Sequence, residues 1–453
     1  MFLDPKPLPK NQPFTDKRLA AMIIPLMIEH LLQMIVGIAD TMMVSYAGEA
    51  TVSGVSLDTM IYTIFIYLFT ALGTGGAVVV SQYIGHGEKK NSDRVASQIY
   101  FIAGVISLIA MVFMLIVGRG LLGIMYPTVE PEVMQACRTY LWIVTLSFPA
   151  NALYNAGAAL YRSMGRTRTT MFVSLGMNIL NVAGNAIGIF VLHAGAAGVA
   201  WPTTISWYFA AIVMTALCTR KQSEVTLTIG DALRPDRQMV SRISRIAAPN
   251  AVENTLFQLA RVLLGTLTAT FGTAHIAANG IGQTIWSLSA SMCVVMVPIT
   301  TTVIGQCMGA GDIEATEWYM KKIVRLSMLL STFWNFFILA LVPLILPLYS
   351  VSAETKHLLW IVVIIHNVFA SFAQPFSHPL SAGIRATGDA KFTMWAAIFS
   401  TIVCRTLLSF ILGLWMKLGV IGIAIAMGLD WCIKGSICVV RWKSGKWKSF
   451  KVI

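Results

Sequence analysis

Charged residues are scarce in this chain, and acidic residues are scarcer than basic ones. Only 12% of its 453 residues are charged, with 20 acidic against 33 basic side chains. Soluble domains carry about 25% charged residues, so this composition argues against a soluble enzyme or binding domain. The hydrophobic fraction of 56% is instead typical of a membrane protein with many spanning segments.

Cysteines are also few and scattered. None of the seven belongs to a CxxC pair, so the sequence predicts neither a disulfide framework nor a metal site. The sequence has no HExxH motif and suggests no nucleophile–base pair, which argues against a membrane-embedded enzyme. We therefore expect no catalytic residue and no cofactor.

Long polar stretches are missing except for one, between about residues 220 and 242. Elsewhere, apolar stretches long enough to cross a bilayer as helices recur about twelve times. The first stretch is too long to be a cleavable signal peptide. The predicted spans cover residues 19–46, 52–84, 95–118, 133–161, 169–192, 196–219, 243–271, 275–306, 320–348, 356–383, 392–416 and 419–441.

Two copies of one segment make up most of the chain. The matched pairs include Pro25 and Pro249, Glu29 and Glu253, Gly48 and Gly272, Gly87 and Gly311, Arg162 and Arg385, Gly195 and Gly419, and Trp207 and Trp431. Internal repeats of this length are typical of two-lobed transporters. We predict an all-α polytopic membrane protein with a six-helix lobe over residues 1–220, a cytoplasmic linker over 221–242 and a six-helix lobe over 243–453. We expect a pseudo-two-fold axis along the membrane normal to relate the lobes.

Basic residues are concentrated in alternate loops. They precede the first predicted span and follow the second, fourth, sixth, eighth, tenth and last, and Lys6, Lys10, Lys221 and Lys451 are among them. The opposite loops hold only Arg119, Arg138, Lys356 and Lys417. Because Lys and Arg are enriched in cytoplasmic loops, both termini are predicted to be cytoplasmic. Topology and the anionic headgroups of the lipid bilayer explain the net charge of +13 without a nucleic-acid partner.

Asp40 lies deep in the first predicted span, with no basic residue near it in sequence. An ionisable side chain there costs roughly 2.5–3.5 kcal/mol on insertion scales, so it marks a function or a partner. In a partly dry cavity such a carboxyl can bind and release a proton near neutral pH, and with neutral oxygen ligands it can instead hold Na⁺. Polar residues of neighbouring spans indicate either a cavity lining or hydrogen bonds between helices: Asn151, Asn155, Asn178, Asn181, Asn185, Thr203 and Thr204.

Two further acids occupy matched positions in the repeats. Glu29 and Glu253 each follow a proline, Pro25 and Pro249, by four residues. Since proline bends a helix, each acid is interpreted as part of a pivot or gate. Glu253 has a structural alternative, an ion pair with Arg261 two turns further on.

Other charged and aromatic residues in the spans have weaker interpretations. Asp430 and Lys434 are four residues apart and are predicted to neutralise each other, together with Arg405. Asp58 faces either a cavity or the outer interface. The candidate residues of a substrate cavity are Gln33, Asp58, Tyr62 and Trp286.

The order of these features resembles a known family. With Pro25 and Asp40, the segments Ser81 to Gly87, Tyr161 to Gly165 and Gly383 to Asp389 resemble bacterial MATE transporters (multidrug and toxic compound extrusion), of the MOP flippase superfamily. The resemblance covers essentially the whole chain. It implies an antiporter of the bacterial inner membrane, with two lobes around a central cavity, and we expect a monomer. Such an antiporter exports organic-cation or amphipathic drugs or metabolites while H⁺ or Na⁺ flows inward.

The resemblance also implies roles for particular residues. Asp40 is expected to be the cation-linked residue, assisted by Tyr140, Asn155, Asn181 and Thr203. In the branch of the family with a second-lobe cation site, Glu253 has that role.

Two departures from the family pattern favour H⁺ and the first lobe. Many relatives have a second acid where this chain has Asn185, which cannot titrate. The tenth span has no acid between Glu354 and Asp389, and its polar residues are His366, Asn367, Gln374 and His378. Arg261, Arg405 and Lys434 keep one alternative open, a lipid-linked saccharide flippase of the same superfamily, because cations could meet a pyrophosphate.

Overall fold

The computed structural model describes residues 13–127, 129–220, 223–346, 351–450 and 452–453. Lys6, Lys10, Lys221 and Lys451, and the last two residues of the predicted span 320–348, lie outside these ranges. The chain divides into two compact units. We call the described residues of 16–251 the first lobe, and those of 252–453 together with residues 13–15 the second lobe.

The first lobe is a set of helices packed side by side. They are α1 (Asp16–Ser45), α2 (Glu49–His86), α3 (Lys89–Met125), α4 (Pro131–Thr145), α5 (Phe148–Ser163), α6 (Thr167–Ala186), α7 (Gly195–Cys218) and α8 (Ile229–Ala232). A π-helical segment, Ile187–Val191, extends α6. Helix α2 packs against α3, α4 and α5, and α6 packs against α1 and α7.

The second lobe repeats this arrangement with more interruptions. Helix α9 (Arg237–Ala269) begins in the first lobe and ends in the second. It is followed by α10 (Thr273–Gly309), α11 (Ile313–Ile345), α12 (Ala353–Phe372), α13 (Gln374–Ser377), α14 (Pro379–Ala386), α15 (Ala390–Ala397), α16 (Thr406–Ser409) and α17 (Val420–Lys443). The π-helical segments Ile398–Arg405 and Phe410–Trp415 flank α16. Helix α10 packs against α11, α12 and α14, and α17 packs against α12 and α13.

Ten helical segments of the described chain are long and apolar enough to span a membrane. They correspond to all the predicted spans except the fourth and the seventh. The fourth consists of two shorter helices, α4 and α5, because the helix is interrupted at Leu146 and Ser147. The seventh is α9, which is long enough, but arginines in its first half and Glu253 and Arg261 further along lower its hydropathy.

Large apolar side chains cover the outward faces of the helices. Ile116 on α3 and Phe333 on α11 are both 75% exposed, and Trp415 is 74% exposed. In water, an apolar surface this extensive would drive aggregation. In a bilayer the same side chains contact lipid, which agrees with a protein that crosses the membrane many times.

The division between the lobes differs from the predicted boundary. Residues 223–236 dock on α3, where the Gln98 side chain donates to the carbonyl oxygens of Asp231 (2.9 Å) and Arg234 (2.8 Å). The first half of α9 also belongs to the first lobe, and Asn250 donates to the Ala71 carbonyl at 3.4 Å. Hydropathy indicates where a span begins, but it does not indicate which lobe its first turns contact.

Matched loop residues adopt matched backbone conformations. Gly48 and Gly272, at the starts of α2 and α10, both have φ of 99°, which is accessible to glycine. His193 and Lys417 have φ of 48° and 59°, an uncommon conformation for residues with a Cβ. The repeat seen in the sequence is therefore also a repeat of local structure.

Candidate functional site

Asp40 is held by neutral polar groups in the first lobe. The Asn185 side chain donates to Asp40 Oδ1 at 3.0 Å and also to Asn181 Oδ1 at 3.3 Å. Asn181 in turn contacts Thr203 Oγ1 at 3.1 Å. Helix α1 supplies the carboxyl, α6 supplies both amides one turn apart, and α7 supplies the hydroxyl. We call these four residues the Asp40 cluster.

The Asn181 amide has two orientations that form hydrogen bonds. In the second, its nitrogen donates to both Asp40 oxygens, at 3.0 and 3.1 Å, and its oxygen accepts from Thr203 at 3.1 Å. This orientation satisfies both ends of the amide and gives the carboxylate a second amide donor. Asn185 is fully buried, and its Oδ1 has no partner among the described residues. One carboxylate and several neutral oxygens therefore lie together, a set that suits a proton or a small monovalent cation.

In the described chain, Asp40 forms no ion pair and its charge is balanced by no basic side chain. A hydrogen bond to a charged group contributes about 1.5–3 kcal/mol, less than is needed to offset full burial of an ion. Asp40 is half-buried, so its charge is only partly compensated within the lobe. A residue in this state can exchange a cation more easily than one held in a salt bridge.

Tyr140 and Asn155 are also expected to assist Asp40, and the structure gives them different surroundings. Tyr140 is buried and lies in the neighbourhood of both Asp40 and Asp58. Asn155 belongs to a different hydrogen-bond group, donating to Asn151 Oδ1 at 2.9 Å and accepting from Thr70 at 3.3 Å. The structure therefore brings Asn181, Asn185 and Thr203 to Asp40 and gives Asn155 other partners. Its assistance to Asp40 stays a prediction.

The first-lobe candidates for a substrate cavity have varied surroundings. Asp58 is completely buried between α2 and α4, where the Cys137 Sγ lies 3.1 Å from its Oδ1. Tyr62 is 9% exposed and stacks at a tilt on Phe148, with ring centroids 6.0 Å apart. Gln33 is exposed on α1, and its Nε2 lies 3.4 Å from Ser174 Oγ. Of these three, Gln33 alone is open in this structure, and roles in substrate binding stay predictions.

Each lobe contains an ion pair at matched positions that the sequence reasoning missed. In the first lobe, Arg162 Nη2 lies 2.7 Å from Glu29, which also accepts a hydrogen bond from Thr170 at 3.1 Å. In the second, Arg385 Nη2 lies 3.6 Å from Glu253. In the sequence both arginines are matched between the repeats, but neither is predicted to pair with its acid. Their repetition together with the acids was the signal that could have revealed the pairs.

Two predicted pairings in the second lobe are wrong. Lys434 lies 2.7 Å from Glu253 on α9 instead of neutralising Asp430, and Glu253 pairs with Lys434 and Arg385 instead of Arg261. Asp430 accepts hydrogen bonds from Thr401 at 3.3 and 3.4 Å. Thr401 already donates to Asp430, and the long Lys434 side chain can reach the Glu253 carboxylate from α17.

The remaining second-lobe candidates lie inside the lobe. Gln374 is fully buried, and neither end of its amide has a partner among the described residues. His378 Nδ1 lies 2.8 Å from Ser377 Oγ. Trp286 stacks on Trp431 with ring centroids 6.3 Å apart.

The two prolines of the repeat lie within long helices, as expected. Pro25 is in the interior of α1 and is buried, and Pro249 is in the interior of α9. A proline in a helix interior removes one backbone hydrogen bond and weakens the helix locally. The pivot role of both residues stays a prediction.

The sequence model of the MatE family matches this chain twice, over residues 25–187 and 249–411. The chain belongs to the MatE family. Its members are transporters, so the chain is a transporter and not an enzyme, and the two matches coincide with the two repeats. The resemblance noted in the sequence is thereby confirmed.

Full-length relatives agree with this assignment. The chain is 26% identical over 433 residues to YisQ of Bacillus subtilis (strain 168), an uncharacterized transporter, covering 93% of each chain. It is 24% identical over 451 residues to NorM of Thermotoga maritima, a probable multidrug resistance protein, covering 98% of this chain and 96% of NorM.

Solved structures show the same fold. An outward-facing multidrug resistance MATE transporter of the MOP superfamily superposes with a TM-score of 0.88 at 21% identity, covering 97% of this chain and 100% of that one. A MOP superfamily transporter from Pyrococcus furiosus, described as having a binding pocket of reverse polarity, gives 0.87 at 20% identity with the same coverage. The predicted all-α, two-lobed, multi-pass membrane fold is confirmed.

Proposed function

We propose that this transporter is an antiporter that exports organic-cation or amphipathic drugs or metabolites, driven by protons entering through the Asp40 cluster. The observation that carries the proposal is the placement of the Asp40 carboxyl among neutral amides and a hydroxyl, with no cation paired to it in the described chain. The names of relatives such as NorM, a probable multidrug resistance protein, support the substrate class.

The proposed cycle depends on one exchangeable charge. In the outward-open state Asp40 takes up a proton, loses its charge and no longer attracts a cationic substrate. Its hydrogen-bond network then relaxes, α1 bends near Pro25, and the substrate leaves. Release of the proton to the cytoplasm resets the carboxylate. One proton entering down about 100 mV supplies about 2.3 kcal/mol, before any contribution from a pH gradient.

Protons are favoured over Na⁺ by the composition of the Asp40 cluster. Asn185 occupies the position where a second carboxylate would strengthen the binding of a metal cation. A single carboxyl is sufficient to carry one proton. In the second lobe, the buried Glu253 is already paired with Lys434 and Arg385, which leaves it little capacity for a coupling cation.

Ethidium efflux from proteoliposomes tests the proposal, with a pH gradient and a Na⁺ gradient imposed separately. Wild type is expected to respond to the pH gradient, and Asp40→Asn is expected to lose at least about tenfold in rate because its amide cannot carry a proton. Asp231→Asn is the matched control, since Asp231 is exposed on α8.

Three results would contradict the proposal. Efflux against a gradient by Asp40→Asn would remove this residue from the coupling. Efflux driven by Na⁺ alone would replace the proton. Failure of wild type to export ethidium under either gradient would favour the lipid-linked saccharide flippase.

A further inference from the structure

A guanidinium group is buried in the second lobe, and no carboxylate of the described residues is in contact with it. Arg405, at the end of a π-helical segment, is 2% exposed. Its Nη2 lies 3.0 Å from the Met427 sulfur, and its Cζ lies 5.4 Å from the centroid of the Phe257 ring. Its Nε and Nη1 have no partner in the described part of the chain. Burying a charge in this way costs several kcal/mol unless an anion compensates it.

The charges around Arg405 leave an excess of positive charge. Glu253 is engaged by Lys434 and Arg385, so it is not available to Arg405. Asp430, which accepts from Thr401, acts on Arg405 only from beyond ion-pair distance.

Arg261 adds to this excess. It is exposed on α9, and its charge also acts on Arg405. Two cations therefore face one distant carboxylate, and a second anion would balance them.

Apolar and aromatic groups lie beside this positive charge. Met427 belongs to a buried cluster with Trp431, against which Trp286 packs. Trp286 Nε1 is a buried donor without an acceptor among the described residues. The unsatisfied groups of Arg405 and Trp286 are thus all N–H donors beside aromatic faces. That combination suits an acceptor-rich group attached to an apolar body.

The repeat gives this place a counterpart in the first lobe. In the register that matches Trp431 with Trp207, Met427 matches Thr203, and Leu264 stands where the first repeat has Asp40. Thr203 contacts Asn181 of the Asp40 cluster, whereas Met427 contacts Arg405. The second lobe therefore has a cation, Arg405, beside the residue that matches Thr203, and a leucine where the first lobe has its carboxylate.

We propose that Arg405, with Arg261, Phe257, Met427 and Trp286, binds the anionic group of an amphipathic compound. The group is a carboxylate, sulfonate or phosphate on an aromatic or aliphatic body, carried either by a soluble compound or by a lipid headgroup. We call these five residues the Arg405 cluster. As a substrate site it rests on the proposed export function, and it extends the range of that function from cations to anionic and zwitterionic amphiphiles.

Equilibrium binding of fluorescein, an aromatic carboxylate dye, tests the Arg405 cluster. Full-length protein is placed in phosphatidylcholine nanodiscs, and binding is followed by fluorescence polarisation. Arg405→Gln is expected to raise the Kd for fluorescein at least tenfold, because the charge and the fork of donors are lost. Asp430→Asn is expected to lower the Kd several-fold, because it removes the competing carboxylate. Lys391→Gln, an equal loss of charge at an exposed position of the same lobe, is expected to leave the Kd unchanged.

The variants remain informative if one of them is unstable. Should Arg405→Gln not stay monodisperse, Arg405→Lys is expected to give an intermediate Kd, since it keeps the charge but loses the planar fork. The expected decrease of the Kd in Asp430→Asn is measured without either Arg405 variant. Failure of wild type to bind fluorescein, or equal Kd values for wild type and Arg405→Gln, would overturn the proposal.

Two further comparisons distinguish the sources of the anion and test the two proposals separately. In the first, phosphatidylglycerol is added to the nanodiscs. If it raises the Kd of wild type for fluorescein, but not that of Arg405→Gln, the occupant of the site is a lipid headgroup. An unchanged Kd assigns the site to soluble anions, and both results support an anion site. Absence of ethidium efflux together with Arg405-dependent fluorescein binding would remove the proposed cation export alone. Efflux together with Arg405-independent binding would remove the anion site alone.

Discussion

At the scale of single residues, the acids inside the lobes differ in what compensates their charge. Asp40 has only neutral partners in the described chain, whereas Glu29 and Glu253 each contact an arginine from the matching position of the repeat. A carboxylate held by cations contributes mainly to structure, because loss of its charge would leave those cations without a counter-charge. This difference, and not the depth of each residue in its span, separates the coupling candidate from the structural acids.

The Glu253→Gln substitution tests this distinction. It leaves Lys434 and Arg385 buried without their counter-charge, so we expect the free energy of unfolding to fall by about 3–5 kcal/mol. Thermal unfolding of the purified protein in detergent measures the loss. The double variant Glu253→Gln/Lys434→Met is expected to recover part of it, because it removes one of the two unpaired cations.

Transport by the same variants provides the second readout. Folded Glu253→Gln protein is expected to keep pH-driven ethidium efflux, whereas exposed Glu354→Gln should change neither stability nor transport. An unfolding temperature equal to that of wild type, combined with lost efflux, would instead make Glu253 a coupling residue.

The sequence predicted the Asp40 cluster better than the second-lobe pairs for a geometric reason. Asn181 and Asn185 are four residues apart on one helix, so their shared face follows from helix periodicity alone. The pairing of Glu253 with Lys434 joins α9 to α17 across 181 positions of sequence. The four-residue spacing predicts Asp430 as the partner of Lys434, but tertiary packing brings Lys434 to Glu253 instead.

At the scale of helices, the features missed by hydropathy are interruptions within apolar segments. The break at Leu146 and Ser147 divides the fourth span although both sides are apolar. The segment from Arg385 to Gly419 is one residue longer than the matching segment from Arg162 to Gly195. The second repeat therefore has one additional residue in this segment. Its more extensive π-helical segments, which begin at Ile398, accommodate such an insertion.

Glycine contacts at these interruptions bring two helices together. A Cβ built on Gly198 of α7 would lie 2.6 Å from the carbonyl oxygen of Gly188 in the π-helical segment. The second lobe repeats the contact, where a Cβ on Gly422 would lie 2.6 Å from the backbone nitrogen of Gly413. Backbone atoms cannot rotate away as a side chain can.

Gly198→Ala is therefore expected to destabilise the first lobe by about 1–3 kcal/mol through overpacking. Gly120→Ala is the matched control on α3, because a Cβ there meets nothing within 4 Å. Since alanine favours helix more than glycine does, the control should be neutral or stabilising by about 0.5–1 kcal/mol. Thermal unfolding of both variants measures the difference, and equal unfolding temperatures would contradict the close contact.

At the scale of the whole molecule, one repeated unit carries two proposed sites of opposite charge. The shared framework is visible in the matched glycines and in the Glu29–Arg162 and Glu253–Arg385 pairs. The sites differ because Asp40 is matched by Leu264, and because Arg405 adds a cation in the second lobe. The two repeats thus share their framework, and substitutions at a few positions give the two clusters opposite charges.

The orientation of the chain in the membrane is predicted from the distribution of its basic residues and can be tested on one helix. Lys90 and Arg119 are exposed near opposite ends of α3, separated by 29 residues, or about 43 Å along a helix axis. Because this exceeds the roughly 30 Å of the hydrocarbon core, the two side chains lie on opposite sides of the bilayer. The predicted topology puts Lys90 in the cytoplasm and Arg119 outside.

In intact cells, a membrane-impermeant maleimide should label Arg119→Cys but not Lys90→Cys, and inside-out vesicles should reverse the result. The unsubstituted protein gives the background, since Cys404 and Cys432 are partly exposed. The reverse labelling would put both termini outside and would require protons to enter from the opposite face to that proposed for Asp40.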